Sequence, residues 1–201
     1  MNKLKTSAII LAGGTGSRMN SDKTKQFMDI LGKTVIERSV FAFSDSALID
    51  EIIVVVKEDE KLAALDVLST IKYTKPIKIV TGGACRAESA KNGFSAVDSA
   101  FDFVAIHDAA RCLITSEMID KVVEKAYKTE AATAVCGVTD TIKTVDNEGK
   151  ITSTIPRETV FRAQTPQVFS KSLMRHWNIA ECSESTGRMR ALHWAARFMT
   201  I

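Results

Sequence analysis

The chain has 201 residues, 27 basic and 24 acidic side chains, a net charge of +3, and hydrophobic and charged fractions of 45% and 25%. This length suits one domain, or one domain with an appendage, and can bury about 70% of its unfolded surface without disulfides or metal. So small a net charge excludes a chain-wide field for nucleic acid or an anionic membrane, so any positive field that matters is local.

Lys3 and Lys5 precede a five-residue apolar run, Ala8 to Ala12. A secretory segment needs about 7–15 apolar residues, so 7–12 predicts a buried strand instead. The spacing of Ile36, Val40 and Phe43 predicts a helix over 34–44, opened by a capping box between Thr34 and Glu37. "EIIVVV" at 51–56 predicts a central strand covered on both faces. A helical pattern follows over 58–70, then a short strand at 77–80 that ends at Gly82 and Gly83. A helix is expected over 86–97, a strand at 103–106, a helix over 116–128 with Ile119, Val123 and Ala126 inward, and a strand over 131–138. From Asp140, two alternating segments flank Asn147-Glu148-Gly149, which predicts a hairpin with Gly149 at positive φ.

Strands alternating with single helices predict an α/β fold. A three-layer, mostly parallel Rossmann-like sheet would carry helices on both faces, with the hairpin over about 139–163 projecting as an arm. Such sheets bind ligands beyond the carboxyl ends of their strands. "GGTGSRM", "TGG" and "HDAAR" fall there, and three such loops on one edge describe a site. The main domain is expected over 1–174. Residues 175–201 differ from it. They hold both tryptophans, two of the three histidines and no lysine, and they show no strand pattern.

No C-x-x-C pair joins Cys85, Cys112, Cys136 and Cys182, and no histidine lies at ligand spacing, which argues against zinc. Scattered thiols of this kind suit a reducing cytoplasm. No stretch is long enough to cross a bilayer.

Two phosphate motifs fail. The dinucleotide fingerprint finds Gly14 and Gly16 but Met19 at the third position, and a P-loop ending at Gly32 would need glycine where Phe27 stands. The chemistry still points to phosphate. Gly13, Gly14 and Gly16 bare their amides to an anion, Arg18 offers a planar fork of donors, and Lys25 offers a compact charge. Taken alone, the glycines fit an ordinary strand-to-helix turn equally well.

"LAGGTGSR" with the downstream lysine resembles the nucleotidyltransferases that build sugar and alcohol nucleotides. With "TGGACRAES", "HDAAR", "DTIK" and "AQTPQVF" in this order, the chain resembles the 2-C-methyl-D-erythritol 4-phosphate cytidylyltransferase family of the non-mevalonate isoprenoid pathway, from about Ser7 to Leu173. The resemblance implies in-line attack of the alcohol phosphate on the α-phosphorus of CTP, releasing pyrophosphate. Arg18 and Lys25 would stabilise the transition state. Ala12, Gly13, Gly14, Gly82, Gly83, Ser89 and Asp108 would bind the nucleotide. Asp108, Arg111, Thr141, Arg157, Gln164 and Thr165 would bind the polyol phosphate. Mg²⁺ would ride mainly on the CTP phosphates, with Asp108 a candidate ligand. His107 reads as structural. The family's arm reaches over the neighbouring subunit, which implies a homodimer, with no nucleic acid or membrane partner.

The pattern departs at three places. Thr24 and Cys112 stand where relatives usually carry proline. After Leu173 the family's T-D-[DE] and N-I-K-[VI]-T segments, the latter with a phosphate-binding lysine, do not appear. Residues 175–201 are therefore expected to be non-native to the family. The competing expectations are a ribitol-5-phosphate cytidylyltransferase and an inactive CTP-binding dimeric module. A dinucleotide-dependent dehydrogenase is a third, opposed by Met19.

Overall fold

The computed structural model describes residues 3–14, 24–70, 72–175 and 197–200. In chain order these form β1 (Thr6–Leu11), β2 (Asp29–Ile30), β3 (Lys33–Thr34), α1 (Val35–Asp45), β4 (Glu51–Val56), α2 (Lys61–Ser69), β5 (Ile77–Thr81), α3 (Arg86–Ser95) and β6 (Phe103–Asp108). Then follow α4 (Ser116–Thr129), β7 (Ala131–Gly137), β8 (Ile142–Val145), β9 (Ile151–Ile155), β10 (Phe161–Ser170), α5 (Lys171–Arg175) and β11 (Arg197–Thr200).

Seven strands form one sheet in the order β11-β7-β10-β6-β1-β4-β5. β1 pairs in parallel with β4 and β6, β4 with β5, and β11 with β7. β10 enters antiparallel between β6 and β7. Period-two alternation sends Ala8 and Ile10 to one face and Ile9 to the other. On the first face Ile36, Val40 and Phe43 of α1 pack over β1 and β4, Ala64 and Leu68 of α2 beside β5, and Ile119, Val122, Val123 and Ala126 of α4 over β7 and β10. On the second, Ala90 of α3 joins Ile53, Val55, Val104 and Ile106. The expected three-layer α/β fold is present.

Local signals behave as the residues dictate. Thr34 Oγ1 accepts from the Glu37 amide at 3.3 Å while Glu37 Oε2 accepts from the Thr34 amide at 2.6 Å, closing the capping box. Gly149 turns the arm at φ 82°, and Asp146 Oδ1 caps the turn by accepting from the amides of Glu148 and Lys150. Among the described residues the strands β8 and β9 pair only with each other, outside the main sheet.

Three features differ from expectation. The tail shows no strand pattern in its residues, yet β11 lies in it, its backbone paired to β7. A two-stranded hairpin, β2–β3, precedes α1 and turns at Leu31 and Gly32, both at positive φ as a tight hairpin requires. Cys112 and Cys136 are free thiols as expected, whereas Cys85 is disulfide-bonded. Among the described residues no helix is long and apolar enough to cross a membrane.

Candidate active site

A cavity of about 650 Å³ opens at the carboxyl ends of β1, β5 and β6. Its walls come from the three loops singled out by sequence: Leu11 to Gly14, Gly83 to Arg86 with Ser89, and Asp108 to Arg111. Lys25 and Gln26 complete it. Backbone bonds sew each loop to a neighbouring strand: Ala12 donates to Val55 O at 2.7 Å, Gly82 to Val56 O at 2.7 Å, and Ala109 to Leu11 O at 2.9 Å. Each wall is thus anchored at its base to the central sheet.

Ala12, Gly13 and Gly14 line the cavity, as does Lys25. Among the described residues, a Cβ on Gly14 would meet Lys25 Cε, at an ordinary 3.7 Å. Arg18 lies outside the described residues.

Gly83 and Ser89 line the cavity, but Gly82 is not among its described lining residues. A Cβ on Gly82 would stand 2.7 Å from Ser89 Oγ and one on Gly83 would stand 2.2 Å from Glu88 Cγ. These glycines therefore let β5 close tightly on α3, a packing reason distinct from the base-pocket role that the resemblance implies. The closure sets Ser89 Oγ to accept from the Gly83 amide at 3.1 Å. The start of α3 faces the cavity through Cys85, Arg86 and Ser89, which adds the positive end of a helix dipole.

Asp108 ends β6 between two arginines. Arg86 donates to Oδ1 through Nε at 2.9 Å and lies 2.8 Å away through Nη2, and Arg111 Nε approaches Oδ2 at 3.6 Å. Arg111 also donates to Gln164 Oε1, so β10 reaches the site. Thr165 is buried, and its Oγ1 accepts from the Asp108 amide at 3.2 Å and lies 2.9 Å from His107 Nδ1. His107 is fully buried against Phe43, and burial pushes its pKa down to about 4 against the pull of the Asp108 carboxylate. The imidazole is neutral near pH 7 and supports the wall from behind, as its structural reading requires.

Thr141 and Arg157 are exposed at the arm and are not among the described residues that line the cavity. Arg157 donates to Thr139 O at 3.3 Å and lies 3.6 Å from Glu158. Two site residues escape sequence reading. Arg86 looks like any first-turn helix residue, and its partner Asp108 comes only through tertiary folding. Gln26 looks like a spacer, yet it is 2% exposed and donates through Nε2 to Glu60 Oε2 at 2.7 Å.

The described lining thus offers three cationic side chains against one carboxylate, bare amides and a helix start. That arrangement suits a polyanionic nucleotide and charge growing on phosphorus. No described group of three His, Cys, Asp or Glu could hold a metal ion, and the Asp108 carboxylate is engaged by arginines. The described residues therefore form no metal cage.

Residues 6–189 match the family model "IspD: 2-C-methyl-D-erythritol 4-phosphate cytidylyltransferase". A protein of that name from Caldanaerobacter subterraneus subsp. tengcongensis is 41% identical over 172 residues, covering 85% of this chain and 76% of the relative. One from Endomicrobium trichonymphae is 42% identical over 172 residues, covering 86% and 76%. Among solved structures, a 4-diphosphocytidyl-2C-methyl-D-erythritol synthase from Anaerococcus prevotii superposes with a TM-score of 0.83 at 25% identity, covering 99% of this chain and 87% of that one.

Proposed function

Because the chain belongs to the 2-C-methyl-D-erythritol 4-phosphate cytidylyltransferase family, we propose that its cavity takes CTP and 2-C-methyl-D-erythritol 4-phosphate and yields the CDP-alcohol and pyrophosphate. The observation that carries this reading is the convergence of Lys25, the bare Gly13–Gly14 backbone and the start of α3 on one cavity beyond the strand ends. The substrate phosphate attacks the α-phosphorus in line, and its P–O bond forms as the bond to the bridging oxygen of pyrophosphate breaks. No covalent enzyme intermediate is needed, so catalysis is positioning plus charge stabilisation.

Lys25, with Arg18, meets the charge that builds on the α-phosphate. Gly83, Ser89 and the backbone of Ala12 to Gly14 hold the nucleotide, with Gly82 setting the turn behind them. Asp108, clamped by Arg86 and Arg111, faces the ribose or the substrate hydroxyls, and Arg111 with Gln164 borders the polyol pocket. Thr165 fixes the backbone at Asp108. Mg²⁺ belongs on the triphosphate oxygens, where it would offset phosphate charge. Thr141 and Arg157 grip the polyol phosphate of a neighbouring protomer's site, which requires a homodimer. The exposed Val145, Ile151 and Phe161 on and beside the arm support such a contact. A cytoplasmic enzyme fits this soluble substrate pair.

We keep a catalytic domain at 1–174 and an atypical tail at 175–201; the family match runs on to residue 189, so 190–201 are the part of the tail beyond it. Sequencing the source DNA across codon 174 tests this, and an intact reading frame with no alternative downstream match would defeat it. The function is tested by CTP-dependent pyrophosphate release with methylerythritol phosphate and, separately, ribitol 5-phosphate. Faster turnover with methylerythritol phosphate is expected, and preference for ribitol phosphate would transfer the chain to the other substrate class.

A further inference from the structure

The segment that presents Lys25 is a single 3₁₀ turn, Lys25–Phe27. Its backbone is closed by two bonds, Phe27 N to Thr24 O at 3.0 Å and Met28 N to Lys25 O at 3.3 Å. Turns this short have weak hydrogen-bond geometry and do not by themselves fix a side chain. Phe27 gives an apolar anchor against the core. The polar anchor is Gln26, whose buried amide donates to Glu60. The donor end of Gln26, its Nε2, faces the Glu60 carboxylate oxygen, which accepts.

Glu60 is itself buried, in a second 3₁₀ turn, Glu58–Glu60, held by its amide on Lys57 O at 3.1 Å. Lys57 backs the other wall of the cavity: a Cβ on Gly13 would meet Lys57 Cγ and N at 3.8 Å. One short segment after β4 thus braces both the glycine wall and the lysine turn. Gln26 borders the cavity, but its amide is committed to Glu60.

We propose that Gln26 and Glu60 form a buried latch that positions Lys25 over the reacting phosphate, which makes Gln26 a positioning residue acting through its neighbour. The proposal rests on the reading of Lys25 given above. Three variants test it. Gln26→Glu sets two carboxylates face to face. Glu60→Gln still accepts from Gln26. The swap Gln26→Glu/Glu60→Gln rebuilds the bond with donor and acceptor exchanged.

Two measurements are made on each: pyrophosphate-release kinetics, and hydrogen exchange at the Phe27 and Met28 amides with the β1 and β4 amides as internal reference. Gln26→Glu should lower kcat on the order of tenfold or more with KM for CTP within about threefold, because misplacing a catalytic group costs rate more than binding. It should also speed exchange at Phe27 and Met28 alone. Glu60→Gln should lose less, and the swap should recover most of both readouts. If Gln26→Glu melts the β1 and β4 amides as well, Gln26→Met, of similar volume but without the donor, is read in the same way and should shift both readouts in the same direction. Unchanged exchange at Phe27 and Met28, or a swap no better than Gln26→Glu, overturns the latch. Faster exchange with unchanged kcat overturns its role in positioning Lys25. If the unaltered chain releases no pyrophosphate, the functional reading fails, while the exchange data still decide whether the latch exists.

Discussion

His107 sits directly behind Asp108, and its burial has a consequence for stability. The unfolded imidazole titrates near 6.5 and the folded one at about 4. Between those values the unfolded state binds more protons, so stability falls as pH drops through 6.5 toward 4 and is unaffected above that window. The shift corresponds to a loss on the order of 3 kcal/mol once pH reaches 4. Urea midpoints at pH 7 and pH 5 should therefore diverge for the unaltered chain and much less for His107→Asn. Parallel losses in both would place the acid sensitivity elsewhere. At this scale the sequence showed residue types well and partners badly. Lys25, Asp108 and Arg111 stand out because cations and a carboxylate follow strand ends. Arg86, Gln26 and Glu60 do not, because each matters through a partner more than twenty positions away along the chain.

Among the elements, the helices and parallel strands follow from periodicity and capping, as in α1 with its Thr34–Glu37 box. β10 resisted reading as a strand. "FRAQTPQVFS" carries proline, lacks clean alternation, and shifts register on β7 between Ala163 and Gln167. Its antiparallel place between β6 and β7 is set by long-range pairing, and that pairing delivers Gln164 and Thr165 to the site. The arm was legible from Asn147-Glu148-Gly149, but what it touches was not. If it completes a neighbouring site, Lys25→Ala and Arg157→Ala protomers damage different halves of a shared site. Random mixing makes half the dimers heterodimers, each with one intact site. Mixing two nearly inactive variants should then restore about a quarter of the unaltered turnover, as a two-fold shared site dictates. Turnover equal to the average of the two variants would show that each chain builds its site alone.

At the scale of the whole molecule, a parallel sheet gathers its strand ends on one edge, so loops far apart in sequence become one wall. That rule made the site's location readable before any coordinates. It could not show that the wall is braced from β4 by Glu60 or backed by a neutral imidazole. The central claim is that this edge holds CTP and that Lys25 acts on charge that grows during transfer. The most direct test compares Lys25→Ala with the unaltered chain in CTP binding by calorimetry and in pyrophosphate release. Losing one such transition-state contact should cut kcat by about 10²–10³-fold while the Kd for CTP moves only about threefold. Equal losses in affinity and turnover, or turnover that survives, would contradict it.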